Sequence, residues 1–318
     1  MENLYKEILK AKERLSSVIE KTPLLLSNPL STPSQKVYLK LENLQRTGSF
    51  KIRGSYNKIA TLPLSIREKG IICSSAGNHA QGVALSAKLF KIPSIICMPL
   101  TAPQTKIDNT KNFGATVILH GKVYDDAADK AKELQKEKGY TYIHPFDDDL
   151  VIAGQGTIGL EILNDNSNID TIVVPIGGGG LISGIAIAAK SINKDIKVIG
   201  VQSEGSPSMV ESIKKGEILC LNAKTVADGI QVKQPGQKTF EYVKKYVDEC
   251  VTVSEEDIYN SIIYLMEKHH CIVEGAGAVP VAAYMSGKIG NDRKNVCLVL
   301  SGGNIDITVF SKIIERFF

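Results

Sequence analysis

The sequence predicts an α/β fold built from mostly parallel sheets flanked by helices, and three observations carry that expectation. Short Val/Ile-rich runs alternate with helical patterns along the whole chain. The runs are apolar at successive positions, as strands covered on both faces must be. Several of them lead directly into clusters of Gly, Ser and Asn followed by an apolar helix, the arrangement of a strand-to-helix turn.

Taken in order, Leu4, Ile8, Ala11, Leu15 and Ile19 recur at helical spacing and predict an amphipathic helix that ends before Thr22-Pro23. KVYLKLE reads as a strand. GIICSSA is a strand followed by the helical pattern HAQGVALSAKLF, and PSIICMP is a further strand. ATVILHG precedes the helix DDAADKAKELQKEKG, and TIVVPI precedes LISGIAIAAKSI. KVIGVQ and VCLVLSG complete the strands, and TVFSKIIERFF is a closing helix. No linker, repeat or low-complexity stretch divides the chain.

A length of 318 residues suits two domains or one large α/β unit. With 43% hydrophobic and 23% charged residues, disorder is excluded as the main state. A formal charge of +4, without a Lys/Arg block interleaved with aromatics, implies no nucleic-acid partner. Cys73, Cys97, Cys220, Cys250, Cys271 and Cys297 are scattered without a C-x-x-C pair or metal-ligand spacing, as reduced thiols in a cytoplasmic protein would be. No secretory signal is expected at the start, and no apolar run is long enough to cross a bilayer.

Four segments carry chemistry. TIVVPI-GGGG-LISGIAIAAK places Gly177, Gly178, Gly179 and Gly180 between a strand and a helix. There the backbone can approach an anion while helical N–H groups point at it, so a phosphate site is the functional reading. A tight turn packed for its own sake is the alternative. Nicotinamide binding fits poorly, because the third residue after Gly179 is Ile182 rather than glycine. In LENLQRTGSFKIRG, Lys51 follows Phe50; a lone lysine is ordinarily a solvated surface residue, but an aldehyde cofactor would need one amine and one aromatic neighbour. In CSSAGNHAQGVA, the small residues Ser75, Ala76 and Gly77 can clamp a carboxylate at a helix start and Asn78 can donate to a phenolate-type oxygen, or Ser75 or Asn78 merely caps the helix, while His79 reads as a packed or capping imidazole. In VCLVLSGGNID, Ser301 ends a strand, where its hydroxyl can face a ring nitrogen or simply form a turn.

Together these segments, with AKERLSSVIEKTPL, IAGQGTIGLEI, VIGVQSE and VEGAGA, resemble the fold-type II pyridoxal-phosphate (PLP) enzymes, most closely the short bacterial catabolic threonine dehydratases (threonine ammonia-lyases). The resemblance runs nearly end to end. It implies a tryptophan synthase β-like fold of two α/β domains: a small mobile domain at residues 47–146, closing over PLP held by a large domain of residues 1–46 and 147–318. It implies β-elimination of water from L-threonine to give 2-oxobutanoate and ammonia, with L-serine giving pyruvate.

By the same resemblance, Lys51 is the Schiff-base lysine and moves the α-proton, Phe50 packs on the ring, and Asn78 bonds the ring hydroxyl oxygen. Backbone N–H groups of Gly177, Gly178, Gly179, Gly180 and Leu181 hold the phosphate, and Ser301 faces the pyridine nitrogen. Ser75, Ala76, Gly77, Asn78 and His79 belong to the loop that receives the substrate carboxylate. Glu274 lies in a family motif, its role open between active-site polarity and a structural hydrogen bond. A hydroxyl beside the pyridine nitrogen makes the ring a weaker electron sink than a carboxylate would, which favours prompt loss of the β-hydroxyl.

Serine racemases share the resemblance but have a second serine where Ala76 stands, and carboxylates at the places of Gln202 and Ser208. Racemisation is therefore the alternative reading, Glu204 is a solvated acid, and no metal is expected. A non-catalytic PLP-binding protein and a nicotinamide oxidoreductase are the other competitors. The catabolic members imply a homodimer or homotetramer and an AMP effector site near Arg46, Thr47, Gln81 and Asn304, with Phe113 replacing a common tyrosine. Isoleucine feedback is not expected, as no regulatory module follows SGGNID.

Overall fold

The computed structural model describes residues 2–290 and 292–317. Among the described residues ten strands form two sheets: β1 (Leu24–Leu26), β2 (Lys36–Leu41), β3 (Ile71–Ser74), β4 (Ser94–Met98), β5 (Thr116–Leu119), β6 (Thr141–Tyr142), β7 (Thr171–Pro175), β8 (Lys197–Ser203), β9 (Glu249–Val253) and β10 (Asn295–Leu300). The larger sheet has the order β1-β2-β10-β7-β8-β9 and the smaller β5-β4-β3-β6. Every pairing is parallel except that of β1 with β2. The predicted α/β class is the observed one.

Both faces of both sheets are covered, and the side-chain alternation shows how. In β7, Ile172 and Val174 enter a core shared with the helices Glu2–Leu15, Asp149–Asp165 and Gly180–Ile192, while Val173 points to the opposite core under the helices Glu255–His269 and Gly275–Met285. β10 divides the same way, Cys297 and Val299 against Leu298 and Leu300. In the smaller sheet Ile71 and Cys73 face one core and Ile72 the other. This two-sided burial is why the strands read as unbroken apolar runs.

The first and last helices depart from the expected boundaries. The first helix stops at Leu15, and the chain turns through N–H bonds from Val18 and Ile19 to the Leu15 carbonyl. Val18 is thereby the buried residue, and Ile19 only half-buried. The last helix spans Ile307–Phe317, beginning just before the predicted Thr308; Phe318 lies outside the described residues.

The helix Lys51–Ala60 packs between the helices Asn78–Phe90 and Asp149–Asp165. Its Arg53, fully buried, sends Nε and Nη2 to the Glu42 carboxylate at 2.8 and 2.7 Å, and Nη1 and Nη2 to Glu161 at 2.6 and 2.9 Å. Nη1 also donates to Thr157 at 3.1 Å, so every guanidinium N–H has a partner. Lys40, equally buried, reaches Glu161 at 2.6 Å and the Thr22 carbonyl at 2.8 Å. Burial alone would raise the Glu161 carboxyl, but the charges of Arg53 and Lys40 outweigh it and hold the group below the ordinary carboxylate range.

Candidate active site

The carboxyl ends of β7 and β10 in one sheet and of β3 and β6 in the other converge on a cavity of about 810 Å³. Loops beyond the carboxyl ends of parallel strands are where such folds hold ligands.

The glycine turn after β7 forms one wall, and Gly177 through Gly180 and Leu181 all line the cavity. Gly179 has φ +98°, a conformation that side chains resist. A Cβ on Gly178 would overlap the Phe146 ring, so the turn is pressed against its neighbour. The Gly178 carbonyl is tied by Thr239 Oγ1 at 2.5 Å, and the helix Gly180–Ile192 starts without a side-chain cap. Its first N–H groups are left for an anion.

Lys51 opens the helix Lys51–Ala60 on the facing wall, with Phe50 just before it. Its Nζ donates to the Pro145 carbonyl at 3.0 Å and lies 5.1 Å from the Phe50 ring centre. Burial pushes the amine down to about 8, against the opposing pull of the Glu274 charge. A large fraction of the amine is therefore neutral in weakly alkaline solution and able to act as base or nucleophile.

Ser75, Ala76, Gly77, Asn78 and His79 line the side contributed by the end of β3. The helix Asn78–Phe90 is capped by Gly77 without any side-chain bond, so neither Ser75 nor Asn78 performs the capping role that was the alternative. Ser75 Oγ instead accepts from the Gly77 N–H at 3.2 Å. His79 Nε2 donates to the Ile143 carbonyl at 2.8 Å, and burial first, then the Lys51 charge, lower the imidazole to about 3. It is a neutral strut between the helix and the end of β6. Asn78 Nδ2 donates to Glu274 Oε1 at 2.6 Å, which settles that Glu274 belongs to the cavity wall. Ser301 lines the cavity at the end of β10, and its carbonyl accepts from the Phe50 N–H at 3.2 Å.

Arg46, Thr47, Gln81 and Asn304 lie behind this wall rather than in it. Arg46 Nη1 donates to the Val18 carbonyl at 2.8 Å, Thr47 Oγ1 to the Ser49 carbonyl at 3.3 Å, and Gln81 is buried in the helix Asn78–Phe90. Asn304 Nδ2 bridges the Thr47 carbonyl and Asn78 Oδ1, each at 2.8 Å. Gln202 accepts from the Val210 N–H at 2.9 Å, Ser208 donates to the Val232 carbonyl at 2.7 Å, and no metal-binding group of His, Cys, Asp or Glu occurs among the described residues.

Sequence reasoning passed over His144, Pro145, Lys106 and Asp228, all in the cavity wall. His144 Nδ1 accepts from the Phe146 and Asp147 N–H groups at 3.2 and 2.8 Å, so the ring proton sits on Nε2. Lys106 is paired with Asp228 across the cleft. The Lys51 partner is a backbone carbonyl, which no residue type announces; HPF after the short β6 was the available signal.

Comparison with known proteins matches residues 15–302 to the family described as "Pyridoxal-phosphate dependent enzyme". The chain is 51% identical over 312 residues to the L-threonine ammonia-lyase of Thermotoga maritima, covering 98% of this chain and 78% of that one. It is 52% identical over 316 residues to the catabolic L-threonine dehydratase TdcB of Staphylococcus aureus, covering 98% and 91%. Among solved structures, maize serine racemase superposes with a TM-score of 0.93 at 34% identity, covering 98% of this chain and 97% of that one.

Proposed function

Because this chain belongs to the family of pyridoxal-phosphate dependent enzymes, we propose that it is a dehydratase that eliminates water from L-threonine to give 2-oxobutanoate and ammonia, with L-serine giving pyruvate. One observation supports this above the rest: a half-buried lysine whose amine is held on a backbone carbonyl, a glycine turn opening a helix and a small-residue loop share one cavity.

The residues present suit the cofactor. The uncapped turn at Gly177–Leu181 offers N–H groups to a phosphate, Phe50 offers an apolar face beside the Lys51 amine, and Ser301 and Asn78 offer a hydroxyl and an amide to ring heteroatoms. When bound, PLP supplies the electron sink that makes the substrate α-proton removable. Lys51 Nζ would take that proton, its lowered basicity leaving a large fraction of the amine neutral in weakly alkaline solution. Ser75 through Gly77 orient the substrate carboxylate, and the Nε2–H of His79, spent on Ile143, keeps that loop in place. Ala76 has no proton to deliver to the opposite face, which favours elimination over racemisation.

Three finer readings belong to the same proposal. Residues 47–146 form the small domain that closes over the cofactor, with 1–46 and 147–318 as the large one, since the four-stranded sheet lies entirely within the first span. The protein acts in the cytoplasm as a homodimer or homotetramer; no described helix is long and apolar enough to cross a membrane. AMP binds near Arg46, Thr47, Gln81 and Asn304, and an AMP titration that leaves activity and particle size unchanged would dispose of that site.

The function is tested by absorbance spectra of the purified protein during L-threonine addition, with 2-oxo acid measured in parallel. Wild type should show the visible cofactor band and release 2-oxobutanoate; Lys51→Ala should lose both. Conversion of L-serine to D-serine without 2-oxo acid, by chiral analysis, would replace the dehydratase by an isomerase.

A further inference from the structure

Asn78 sits where three chain segments meet: its own helix, the stretch leading into the helix Gly275–Met285, and the turn after β10. The Thr47 carbonyl accepts from Asn304 Nδ2, and a carbonyl can only accept, so this contact decides which end of the Asn304 amide faces inward. The same nitrogen donates to Asn78 Oδ1, which turns the Asn78 nitrogen toward Glu274. Glu274 Oε1 receives it at 2.6 Å.

The carboxyl occupies a space made for it. A Cβ on Gly302 would overlap Glu274 Oε1, and one on Gly229 would stand 3.2 Å from it. The Glu274 N–H is fixed on the Gly302 carbonyl at 3.1 Å, and the residue is 3% exposed. An amide nitrogen carries two protons. Asn78 uses one on Glu274, and the other is left for the cavity it lines.

We infer that Glu274 is a positioning residue that holds the Asn78 amide in a single orientation, with its second N–H presented to the ring oxygen of the cofactor. The inference rests on the PLP reading of the cavity. Burial first, then the Asp228 charge, raise the Glu274 carboxyl, while the Asn78 bond and the Lys106 and Lys51 charges oppose them. The net rise makes the carboxyl neutral at lower pH and charged at higher pH across the neutral to weakly alkaline range. The acceptor facing Asn78 therefore changes strength in a range where the cofactor band can report it.

The test uses PLP-loaded wild type, Glu274→Gln, Glu274→Ala and Asn304→Asp, each checked for folding by thermal denaturation. The cofactor band is recorded from about pH 6 to 9, and kcat and KM for L-threonine are measured. The wild-type band should change across this range. Glu274→Gln keeps an acceptor but no charge, so the band should hold its position and lose its pH dependence. Glu274→Ala should displace the band at every pH and lower kcat about tenfold, the worth of one buried hydrogen bond, with little change in KM. Asn304→Asp places a carboxylate against the Thr47 carbonyl and Asn78 Oδ1, and should reproduce the displacement with Glu274 intact. Folded variants whose band, pH response and kcat all match wild type overturn the inference; if Glu274→Ala does not fold, the same result from Glu274→Gln and Asn304→Asp overturns it. A wild type with neither band nor 2-oxo acid overturns the PLP reading itself, and the positioning role with it.

Discussion

Arg53→Met removes a cation of nearly equal volume from a site with no solvent access and strands the carboxylates it served. Arg53 and Glu42 are both 0% exposed, and Glu42 would retain only the Thr22 hydroxyl. Glu161 would keep Lys40 at 2.6 Å, so most of the damage falls on Glu42. Breaking one side of a buried ion pair costs about 3–5 kcal/mol, mainly as the penalty of the unpaired charge. At this chain length each kcal/mol lowers Tm by about 2 °C, giving a fall of about 6–10 °C. Thermal denaturation of the holoenzyme, followed by circular dichroism, measures it. The double variant Arg53→Met/Glu42→Gln should recover about half of the fall, because it removes the stranded charge. The pH dependence has a definite sign. The folded-state Glu161 carboxyl is depressed, so its contribution is present above the unfolded value, near pH 4.5, and is lost as the pH falls through the folded one. The difference between wild type and Arg53→Met should therefore narrow in acid. A Tm change under about 2 °C at neutral pH, or no recovery in the double variant, would refute the charge-stranding argument.

Other outcomes follow from the same geometry. Gly178→Ala should weaken PLP binding at least tenfold in an equilibrium titration of apoprotein, since the new Cβ overlaps the Phe146 ring and must move the turn. In the apoprotein, acetylation of Lys51 scored by mass spectrometry should rise steeply up to about pH 8 and then flatten, whereas exposed lysines keep rising toward 10.5; a Lys51 profile matching theirs contradicts the burial argument. Gly184→Ala should destabilise by about 1–3 kcal/mol, read as a Tm shift, because its Cβ would meet the backbone of Ile152 and Gly156 in the facing helix.

The sheets were legible because both of their faces are covered: Ile172-Val173-Val174 is apolar throughout, and that pattern survives in the sequence without any tertiary knowledge. The helix Gly275–Met285 was not legible, since Gly275, Gly277 and Pro280 argue against a helix, and it forms because those small residues let it lie against Ala227 and Gly302 in the core. The site divides along the same line. Backbone features with a compositional signature, such as the four glycines and the small-residue loop, announced themselves. Features made by distant parts of the chain did not: the Pro145 carbonyl that receives Lys51, the cross-cleft pairing of Lys106 with Asp228, and the Thr47–Asn304–Asn78–Glu274 chain each join segments far apart in sequence. Asn304 shows the consequence most clearly. Resemblance placed it with an effector site, yet its side chain is one hydrogen bond from the Asn78 amide in the cavity wall. Anything that displaces Asn304 from the Thr47 carbonyl must therefore also disturb Asn78, and an effector bound at Thr47 would need no longer path than this to reach the chemistry.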